Sequence, residues 1–501
     1  MFRLKHLCID TMREHVVLVH EEAVRAGTLG FNVLDRVRVA GVDAASGEPR
    51  ELTGTLNFCR DALIAPDEIG LSDVAFRDLG LPEGAPVDAT IAPAPRSVDL
   101  VRAKLRGERL DRAGFDAILG DVVRHRYSRV ELAMFVLACA LRTLDEREIV
   151  DFTRAMIARG RSLDFGRGPI ADKHCIGGIP GHRTTMIVVP ILAALGVTIP
   201  KTSSRAITSP AGTADTMALL AEVALPPAEL HRVVERAGAC IAWGGALDLA
   251  PADDILITVE RPMEIDTEPQ MVASILAKKK TAGATHVLID IPVGPTAKVR
   301  DHVAAEHLAA LFRVVAEAIE LRVDTLVTEA RGPIGRGIGP RLEALDVLAV
   351  LRRDGSAPRD LREKALYLAA HLLEMVGAVP AAGGYHAAQQ ALDSGAAAAA
   401  FERIVDVQGR RAFPPEAQHR AIVPAPADGR IAEIDCWEIA RVAKRAGAPA
   451  NVVAGVKLLR TLGDVVTRGE ALFEIHAQSR AQLDFACAYA NAHPEIIRYG
   501  F

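Results

Sequence analysis

Residues 172–215 constrain the fold of this chain more than any other stretch, because they place a long apolar run between two polar loops. The first loop contains Lys173 and the glycine pair Gly177-Gly178, and it leads into an apolar run at residues 186–195. The second loop, residues 201–213, follows directly and is rich in hydroxyl groups and cations. So uniform an apolar run indicates a buried element with one polar loop at each end.

Loops of this composition are suited to bind an oxyanion. Glycines let backbone N–H groups converge on an anion, and a helix N-terminus adds about half a positive charge. Lysine and hydroxyl side chains supply further donors. One such loop could equally be a turn that caps a helix, since neither loop has dinucleotide-binding or P-loop spacing. Two loops close together in sequence, each with a cation, favour an oxyanion site, most simply for phosphate.

The composition argues against several classes of protein. The net charge is -5 with both signs interleaved, so no basic surface for nucleic acid is expected, and only 4% of residues are aromatic. The seven cysteines are scattered without C-x-x-C spacing, which is typical of reduced thiols in a cytoplasm. The N-terminus lacks the apolar core of a signal peptide, and the longest apolar run is too short to span a membrane. We therefore expect a cytoplasmic protein with neither nucleic acid nor membrane as partner.

The chain is expected to fold into several domains, since it has 501 residues. Residues 1–92 alternate short β-type runs with turns, and residues 93–168 show helical periodicity. Residues 169–420 alternate strands and helices, and parts of the helical lobe could interleave with them. Residues 421–501 predict a small β domain of hammerhead type. The predicted fold class is α/β in a multidomain α+β arrangement, with a helical lobe and a mixed-sheet α/β lobe flanked by two β-rich domains.

Within the α/β lobe, periodicity and turn signals predict individual elements. The predicted strands are residues 187–190, 240–243, 286–291 and 324–328. The predicted helices include residues 227–237, 270–280 and 305–321. Ligands bind at the carboxyl ends of the strands in this class of fold, so the polar loops are expected there.

Four motifs in this order resemble the thymidine phosphorylase family. They are DKHCIGG at residues 172–178, PKTSSRAITSPAGTAD at 200–215, LDLAPADD at 247–254 and SILAKKK at 274–280. The closer resemblance is to the branch that contains the AMP phosphorylases, or type 2 thymidine phosphorylases. It covers essentially the whole chain, including an N-terminal domain that ordinary thymidine phosphorylases lack.

The resemblance implies phosphorolysis of an N-glycosidic bond, in which a nucleoside or nucleotide and inorganic phosphate give a free base and a sugar 1-phosphate. It also implies a homodimer or a larger homo-oligomer. We expect no cofactor and no metal, because inorganic phosphate is itself a substrate.

Five positions match the phosphate-contacting residues of the family: Lys173, the Gly178 backbone, Thr185, Ser203 and Thr213. Cys175 stands where many relatives have serine and is a poorer hydrogen-bond partner. The resemblance also implies catalytic residues. Asp266 matches a proton donor to the departing base, although taken alone it would more often cap a helix. His174 could assist.

The implied substrate-binding positions lie in the second loop and farther along the chain. They are Ser204, Arg205, Ala206, Ile207, Thr208, Ser209, Arg261, Ser274, Lys278 and Lys298. Arg261 fits the base-binding arginine of pyrimidine-specific relatives only with a one-residue shift, and the three-lysine run around Lys278 could be a solvated face.

Arg205 and Lys298 would form a second cationic group, which favours nucleoside 5′-monophosphates as substrates, with ribose 1,5-bisphosphate as product. The alternative is a thymidine or general nucleoside phosphorylase. Two further hypotheses are a magnesium-dependent phosphoribosyltransferase, for which the two loops show no acidic metal-binding cluster, and a non-catalytic assembly protein.

Overall fold

The structure is a computed structural model and describes residues 1–25, 30–142, 144–166, 168–206, 209–265 and 267–500. The chain divides into two compact units. Unit 1 comprises Met1–Gly160 and Ala250–Ser274, and unit 2 comprises Arg161–Leu249 and Ile275–Phe501. The domain boundaries expected near residues 92, 168 and 420 stay predictions.

The N-terminal part of unit 1 is a closed barrel of six strands in the order β1-β5-β2-β4-β3-β6. Its strands are β1 (Phe2–His6), β2 (Val16–His20), β3 (Arg36–Val42), β4 (Pro49–Cys59), β5 (Glu68–Leu71) and β6 (Pro86–Ile91). Two short helices, α1 (Glu21–Arg25) and α2 (Asp73–Leu79), accompany them. Alternate valines of β2 and β3 are fully buried, because successive side chains of a strand point to opposite faces.

Four helices follow the barrel in unit 1: α3 (Ser97–Leu105), α4 (Arg112–Val123), α5 (Arg129–Leu141) and α6 (Glu146–Arg159). Capping boxes begin two of them. Ser128 and Glu131 exchange hydrogen bonds at the start of α5, and Asp145 and Glu148 do so at the start of α6.

Five parallel strands carry the α/β part of unit 2: β7 (Ala171–Cys175), β8 (Ile199–Ser203), β9 (Ala239–Trp243), β10 (His286–Val293) and β11 (Arg322–Glu329). They form the sheets β11-β10-β7 and β8-β9, and a parallel bridge between Ile170 and Thr198 joins the edges of the two sheets. Because all five strands are parallel, their carboxyl ends lie at the same edge.

The helices between these strands are α7 (Thr185–Ala194), α8 (Thr213–Met217), α9 (Pro227–Ala237), α10 (Pro251–Met263), α11 (Glu268–Thr281) and α12 (His302–Ala318). Of these, α10 belongs to unit 1, where it packs against α4 and α5. The predicted strands at 240–243, 286–291 and 324–328 are confirmed, as are the helices at 227–237 and 270–280. The helix expected at 305–321 begins three residues earlier, because the Asp301 side chain accepts a hydrogen bond from Ala304 N and caps it.

The strand predicted at residues 187–190 is wrong, because these residues lie within α7. The side chains from Thr185 to Leu192 are all buried, so this helix has no polar face and its sequence shows no helical period. A short apolar run with β-branched residues cannot be assigned from its period alone. The surrounding helices decide its state, since α7 is enclosed in the core of unit 2.

The rest of unit 2 is a helical layer followed by two small antiparallel sheets. The helices are α13 (Pro340–Arg352), α14 (Arg359–Met375), α15 (Gly384–Asp393), α16 (Ala396–Gln408), α17 (Cys436–Arg445) and α18 (Arg480–Ala492). The strands are β12 (Gly337–Ile338), β13 (His419–Pro424), β14 (Gly429–Ile434), β15 (Gly455–Leu458), β16 (Val465–Val466), β17 (Ala471–Ala477) and β18 (Ile497–Gly500). They pair in the orders β12-β15-β17-β13 and β16-β14-β18.

Of the later helices, α14 and α16 pack against α7 and bury its apolar surface. The predicted α/β fold class, with its helical portion and its β-rich ends, is confirmed. Among the helices that the structure describes, none is both long enough and apolar enough to cross a membrane.

Candidate active site

A buried lysine lies on the strand that leads into the first polar loop. Lys173, on β7, is 1% exposed, and its ammonium donates a hydrogen bond to Thr184 Oγ1 at 3.0 Å. Within the described ranges, no carboxylate forms an ion pair with it. Burial lowers the pKa of Lys173. Burying an unpaired charge destabilises the folded state, so the site is suited to bind an anion whose negative charge would neutralise that of the lysine.

The neighbouring carboxylate, Asp172, forms ion pairs with two other lysines. Its oxygens lie 3.3 Å from Lys201 Nζ and 2.8 Å from Lys279 Nζ. Although burial opposes it, the charge of these lysines holds the pKa of Asp172 below its usual value. Burial, together with repulsion from Lys279, lowers the pKa of Lys201. Two ammonium groups therefore share the Asp172 carboxylate, and with the Lys173 ammonium nearby the region stays positive.

His174 is neutral in this environment. Burial and the charges of the nearby lysines, which include Lys298, lower its pKa well below the ordinary value. At pH 7 the imidazole can donate a hydrogen bond from one nitrogen, but it does not carry a second proton to release. Its neighbour Cys175 is also neutral, because burial and the charge of Asp290 raise the pKa of the thiol to about 12.

Asp290 organises a second buried network that sequence reasoning missed. This residue, 0% exposed on β10, pairs in register with Cys175 of β7. Its oxygens lie 3.0 Å from His182 Nε2 and 2.9 Å from Lys364 Nζ, and Thr328 Oγ1 donates to it at 2.9 Å. The only signal in the sequence was a single carboxylate within the apolar run at residues 286–293.

The same network bears on metal binding. Ligand atoms of Cys175, His182 and Asp290 lie within 4.8 Å of one another, as they would around a metal ion. However, the Lys364 ammonium already contacts Asp290, and the charge of Lys173 helps burial to lower the pKa of His182 to about 4. The local charge therefore favours an anion over a metal cation.

Glycines give the first loop its shape. Gly177, Gly178 and Gly181 have φ values of 96°, 86° and 74°, a region that residues with a Cβ rarely adopt. A Cβ at Gly178 would lie 2.6 Å from the backbone N of Lys298, and one at Gly181 would lie 2.2 Å from Ile334 O. The loop thus packs closely against two other segments and places the backbone of Lys298 beside Gly178.

Arg183 connects the first polar loop to the second. Its guanidinium forms a buried ion pair with Glu343 and donates hydrogen bonds to Thr213 Oγ1 at 3.3 Å and Ala211 O at 2.6 Å. Thr185 is the first residue of α7, where the first turn of a helix leaves backbone N–H groups without intrahelical acceptors. The two loops predicted to bind phosphate are therefore adjacent in space.

Asp215 closes the second loop. Its carboxylate accepts hydrogen bonds from Ala206 N at 2.6 Å and Gly212 N at 2.9 Å, and it lies 3.5 Å from Arg205 Nη1. The Arg205 guanidinium also lies 4.9 Å from the centre of the Trp243 ring. Arg205 is thus held at the carboxyl ends of β8 and β9.

Comparison with known proteins identifies the family. Residues 98–160 match the "Glycosyl transferase family, helical bundle domain", and residues 167–398 match the "Glycosyl transferase family, a/b domain". A protein of Polaromonas sp. JS666 named "Putative thymidine phosphorylase" is 49% identical over 496 residues, which are 99% of this chain and 96% of that protein. One of the same name from Ralstonia nicotianae is 48% identical over 493 residues, 98% and 96% of the two chains. The chain belongs to the thymidine phosphorylase family.

One further comparison agrees with membership of the thymidine phosphorylase family. Residues 430–496 match the "Pyrimidine nucleoside phosphorylase C-terminal domain". The fold also resembles anthranilate phosphoribosyltransferase from Thermus thermophilus, with a TM-score of 0.53 over 62% of this chain and 99% of that one. At 22% identity this likeness concerns the fold alone. Family membership makes the chain a pentosyltransferase of the nucleoside phosphorylase type.

The phosphate-binding positions predicted by the thymidine phosphorylase resemblance all lie in unit 2, on its parallel strands, in the loop after β7 or at the starts of the following helices. They are Lys173, Gly178, Thr185, Ser203 and Thr213. Unit 2 also contains His174, Ser204, Arg205, Ala206, Ser209, Lys278 and Lys298.

The remaining predicted residues are placed differently. Arg261 on α10 and Ser274 on α11 belong to unit 1. The predicted proton donor Asp266, and Ile207 and Thr208 of the second loop, lie outside the described residues. The roles of all these residues stay predictions.

Proposed function

We propose that this chain catalyses the reversible phosphorolysis of nucleoside 5′-monophosphates to free base and ribose 1,5-bisphosphate. The observation that carries phosphorolysis is the buried Lys173 ammonium, which has a hydroxyl but no carboxylate as its partner in the described part of the chain. An inorganic phosphate bound there would supply the missing negative charge and would be the nucleophile.

In the proposed reaction a phosphate oxygen bonds to C1′ of the sugar while the bond from C1′ to the base nitrogen breaks. Lys173, the Gly178 N–H, Thr185, Ser203 and Thr213 hold the phosphate and orient it for attack. The transition state resembles an oxocarbenium ion, which the bound anion stabilises electrostatically. Asp266 donates the proton that the departing base needs, and neutral His174 contributes a hydrogen bond.

A second cationic group supports nucleotides over nucleosides. The backbone of Lys298 packs against Gly178, and its charge is one of those that lower the pKa of His174. Arg205 lies on the second loop. A substrate 5′-phosphate would add negative charge to this positive region, and the resemblance to the AMP phosphorylase branch agrees with such a substrate.

A second candidate is phosphorolysis of thymidine or another nucleoside to base and deoxyribose or ribose 1-phosphate. Its support is that relatives 48–49% identical over nearly the whole chain carry the name "Putative thymidine phosphorylase". The ion pair of Arg205 with Asp215 also reduces its need for a substrate phosphate. Both candidates include inorganic phosphate as a substrate, no cofactor, and a homodimer or a larger homo-oligomer.

Product analysis distinguishes the two candidates. The full chain is incubated with phosphate and AMP, CMP, UMP, thymidine or uridine, and free base and sugar phosphate are quantified. We expect kcat/KM for at least one nucleotide to exceed that for its nucleoside by about 100-fold or more, and Lys298→Met to reduce only the nucleotide reaction, by about 10- to 100-fold for a lost charged hydrogen bond. Turnover of thymidine without turnover of nucleotides would leave only the second candidate.

Two controls test phosphorolysis itself. Base release should require phosphate and should persist in EDTA, because Asp172 and Asp290 are each bound by lysines. Lys280→Met is the matched control for Lys298→Met, since the Lys280 ammonium donates a hydrogen bond to the backbone oxygen of Glu320. Loss of activity in EDTA that is restored by magnesium would argue for a transferase of another type.

A further inference from the structure

A cysteine, a histidine and an aspartate meet on the barrel of unit 1, in residues that the proposed reaction does not use. His6 ends β1, Cys8 follows two residues later, and Asp73 begins α2. His6 Nε2 lies 2.6 Å from Asp73 Oδ1, and Cys8 Sγ lies 3.7 Å from His6 Nδ1. The imidazole therefore lies between a carboxylate and a thiol.

The carboxylate determines which nitrogen of His6 carries the proton. Asp73 can only accept a hydrogen bond when ionised, so Nε2 of His6 is the donor in this pair. In the neutral imidazole, Nδ1 then presents its lone pair to the Cys8 thiol and can accept its proton. The ring is held in place by Phe76, whose ring stacks on it with centroids 4.4 Å apart at an angle of 14°.

The backbone around Cys8 is also held in place. Leu7 N donates to Leu71 O at 3.0 Å, and Asp73 N donates to Ile9 O at 3.0 Å, so hydrogen bonds anchor both neighbours of Cys8. Cys8 itself has a φ of 52°, which is costly for a residue with a Cβ. Strained positions of this kind persist only when the surroundings enforce them, and they cluster at functional sites.

The other six cysteines differ from Cys8 in exposure. Cys59, Cys139, Cys240 and Cys436 are buried, and Cys175 and Cys487 are partly buried. Burial raises the pKa of the Cys175 thiol to about 12 and also raises that of Cys487. Cys8 is exposed and has a base within reach.

We propose that Cys8 is a nucleophilic thiol that forms mixed disulfides with low-molecular-weight disulfides. The Cys8 proton moves to His6 Nδ1, and Asp73 stabilises the imidazolium. The thiolate sulfur attacks one sulfur of the disulfide, a new S–S bond forms, and the old one breaks. The departing thiolate takes up the proton from His6, so one thiol and one disulfide give one mixed disulfide and one thiol.

The surroundings favour a disulfide that carries carboxylates. A cavity of about 480 Å³ lies beside the triad, lined by His6, Asp73, Phe76, Arg77, Gly80 and Leu81. Arg77 offers a planar cation that matches carboxylate geometry, and Phe76 and Leu81 offer an apolar wall. Glutathione disulfide has both carboxylates and apolar parts, whereas cystamine carries only positive charge.

The test follows mixed-disulfide formation on the full chain by intact mass and peptide mapping, with glutathione disulfide or cystamine as reagent. We expect Cys8 to react at least 10-fold faster than Cys487, and glutathione disulfide to react faster than cystamine. His6→Gln and Asp73→Asn should slow the reaction about 10-fold, whereas His386→Gln, an exposed histidine elsewhere, should not.

Three outcomes would overturn the proposal: equal rates at Cys8 and Cys487, a faster reaction with cystamine, or an unchanged rate in His6→Gln. If the variants do not fold, the comparison of Cys8 with Cys487 in the wild-type chain decides, because equal rates contradict activation of Cys8 by His6. Phosphorolysis by the Cys8→Ser variant should equal that of wild type, so the outcome does not depend on the proposed reaction.

Discussion

Lys173 is a residue whose burial costs stability and whose charge serves the proposed reaction. Its ammonium is 1% exposed, and its hydrogen-bond partner is the hydroxyl of Thr184. The penalty for burying an unpaired ion is several kcal/mol even after relaxation. A bound anion would offset this cost, and sites that sacrifice stability for function are commonly stabilised by the neutral substitution.

Lys173→Met should therefore separate stability from activity. We expect the melting temperature without ligand to be equal to or higher than that of wild type, because the variant no longer buries a charge. We expect kcat/KM for phosphate to fall by about 100- to 1000-fold, as when one electrostatic donor to a transition state is removed. Phosphate at 100 times its Kd should stabilise wild type by about 2.7 kcal/mol and should stabilise the variant little.

The measurements are calorimetry with and without phosphate and steady-state kinetics. Lys280→Met serves as the control, since the same substitution outside the lysine cluster should change neither quantity. A variant that is strongly destabilised, yet stabilised by phosphate as wild type is, would refute the role of Lys173.

The loop between β7 and α7 is the element on which the site depends. It turns through three glycines with positive φ and delivers His182 and Arg183 to their partners Asp290 and Glu343. Position 177 needs only the positive φ, because a Cβ there would meet nothing within 4 Å. Position 181 needs both the positive φ and the missing Cβ, because a Cβ would lie 2.2 Å from a backbone oxygen.

Gly181→Ala and Gly177→Ala form a matched pair that tests this difference. Gly177→Ala should lower the free energy of unfolding by about 1–2 kcal/mol, the usual penalty for a left-handed residue with a Cβ. Gly181→Ala should lower the free energy of unfolding by more than this, because the loop must move away from residue 334. It should also reduce kcat/KM for phosphate at least 10-fold more than Gly177→Ala does. Urea denaturation and kinetics measure both effects, and equal losses in the two variants would contradict the packing argument.

At the scale of the whole molecule, histidines with depressed pKa values couple stability to pH. Burial, with the charges around each ring, lowers the pKa of His182 to about 4 and that of His125 to about 3, and it lowers that of His174 as well. In the unfolded chain an imidazole binds a proton near pH 6.5, so the unfolded state binds more protons below that value. Their contribution to stability is complete above pH 6.5 and is lost as the pH falls toward the folded values.

Carboxyl groups act in the opposite direction over part of this range. Burial raises the pKa values of Glu343 and Asp346, so their contribution diminishes as the pH rises. The effect of one histidine is therefore measured best as a difference between variants.

His125→Asn should flatten the pH dependence of stability. Each imidazole that stays neutral only in the folded state contributes a slope of up to about 1.4 kcal/mol per pH unit below pH 6.5. The melting temperature of wild type should fall more steeply between pH 7 and pH 5 than that of the variant. His386→Asn, at an exposed position on α15, is the control. Parallel curves for wild type and His125→Asn would contradict the assignment.

Much of the fold was predictable from local sequence. Local sequence predicted β9 and β10 as short apolar runs, which are buried almost throughout, and it predicted α9 from apolar residues spaced along one buried face. It also predicted β11 and α11. The motifs identified the family, and they predicted that Lys173, Ser203 and Thr213 bind phosphate. Local patterns and motifs both depend on residues that are close together in the sequence, so they can be recognised without the folded structure.

Only the tertiary structure decided how charges pair and which state the most apolar run adopts. Residues 186–192 are helical and wholly buried in the core of unit 2, where α14 and α16 are among the elements that pack against them, so their own sequence shows no helical period. Asp172 meets Lys201 and Lys279, and Asp290 meets Lys364, across long separations in sequence. Among the residues that the structure describes, Lys173 has no carboxylate partner for the same physical reason. Distance in the folded chain decides the partner of a buried charge, and periodicity and spacing along the sequence do not record that distance.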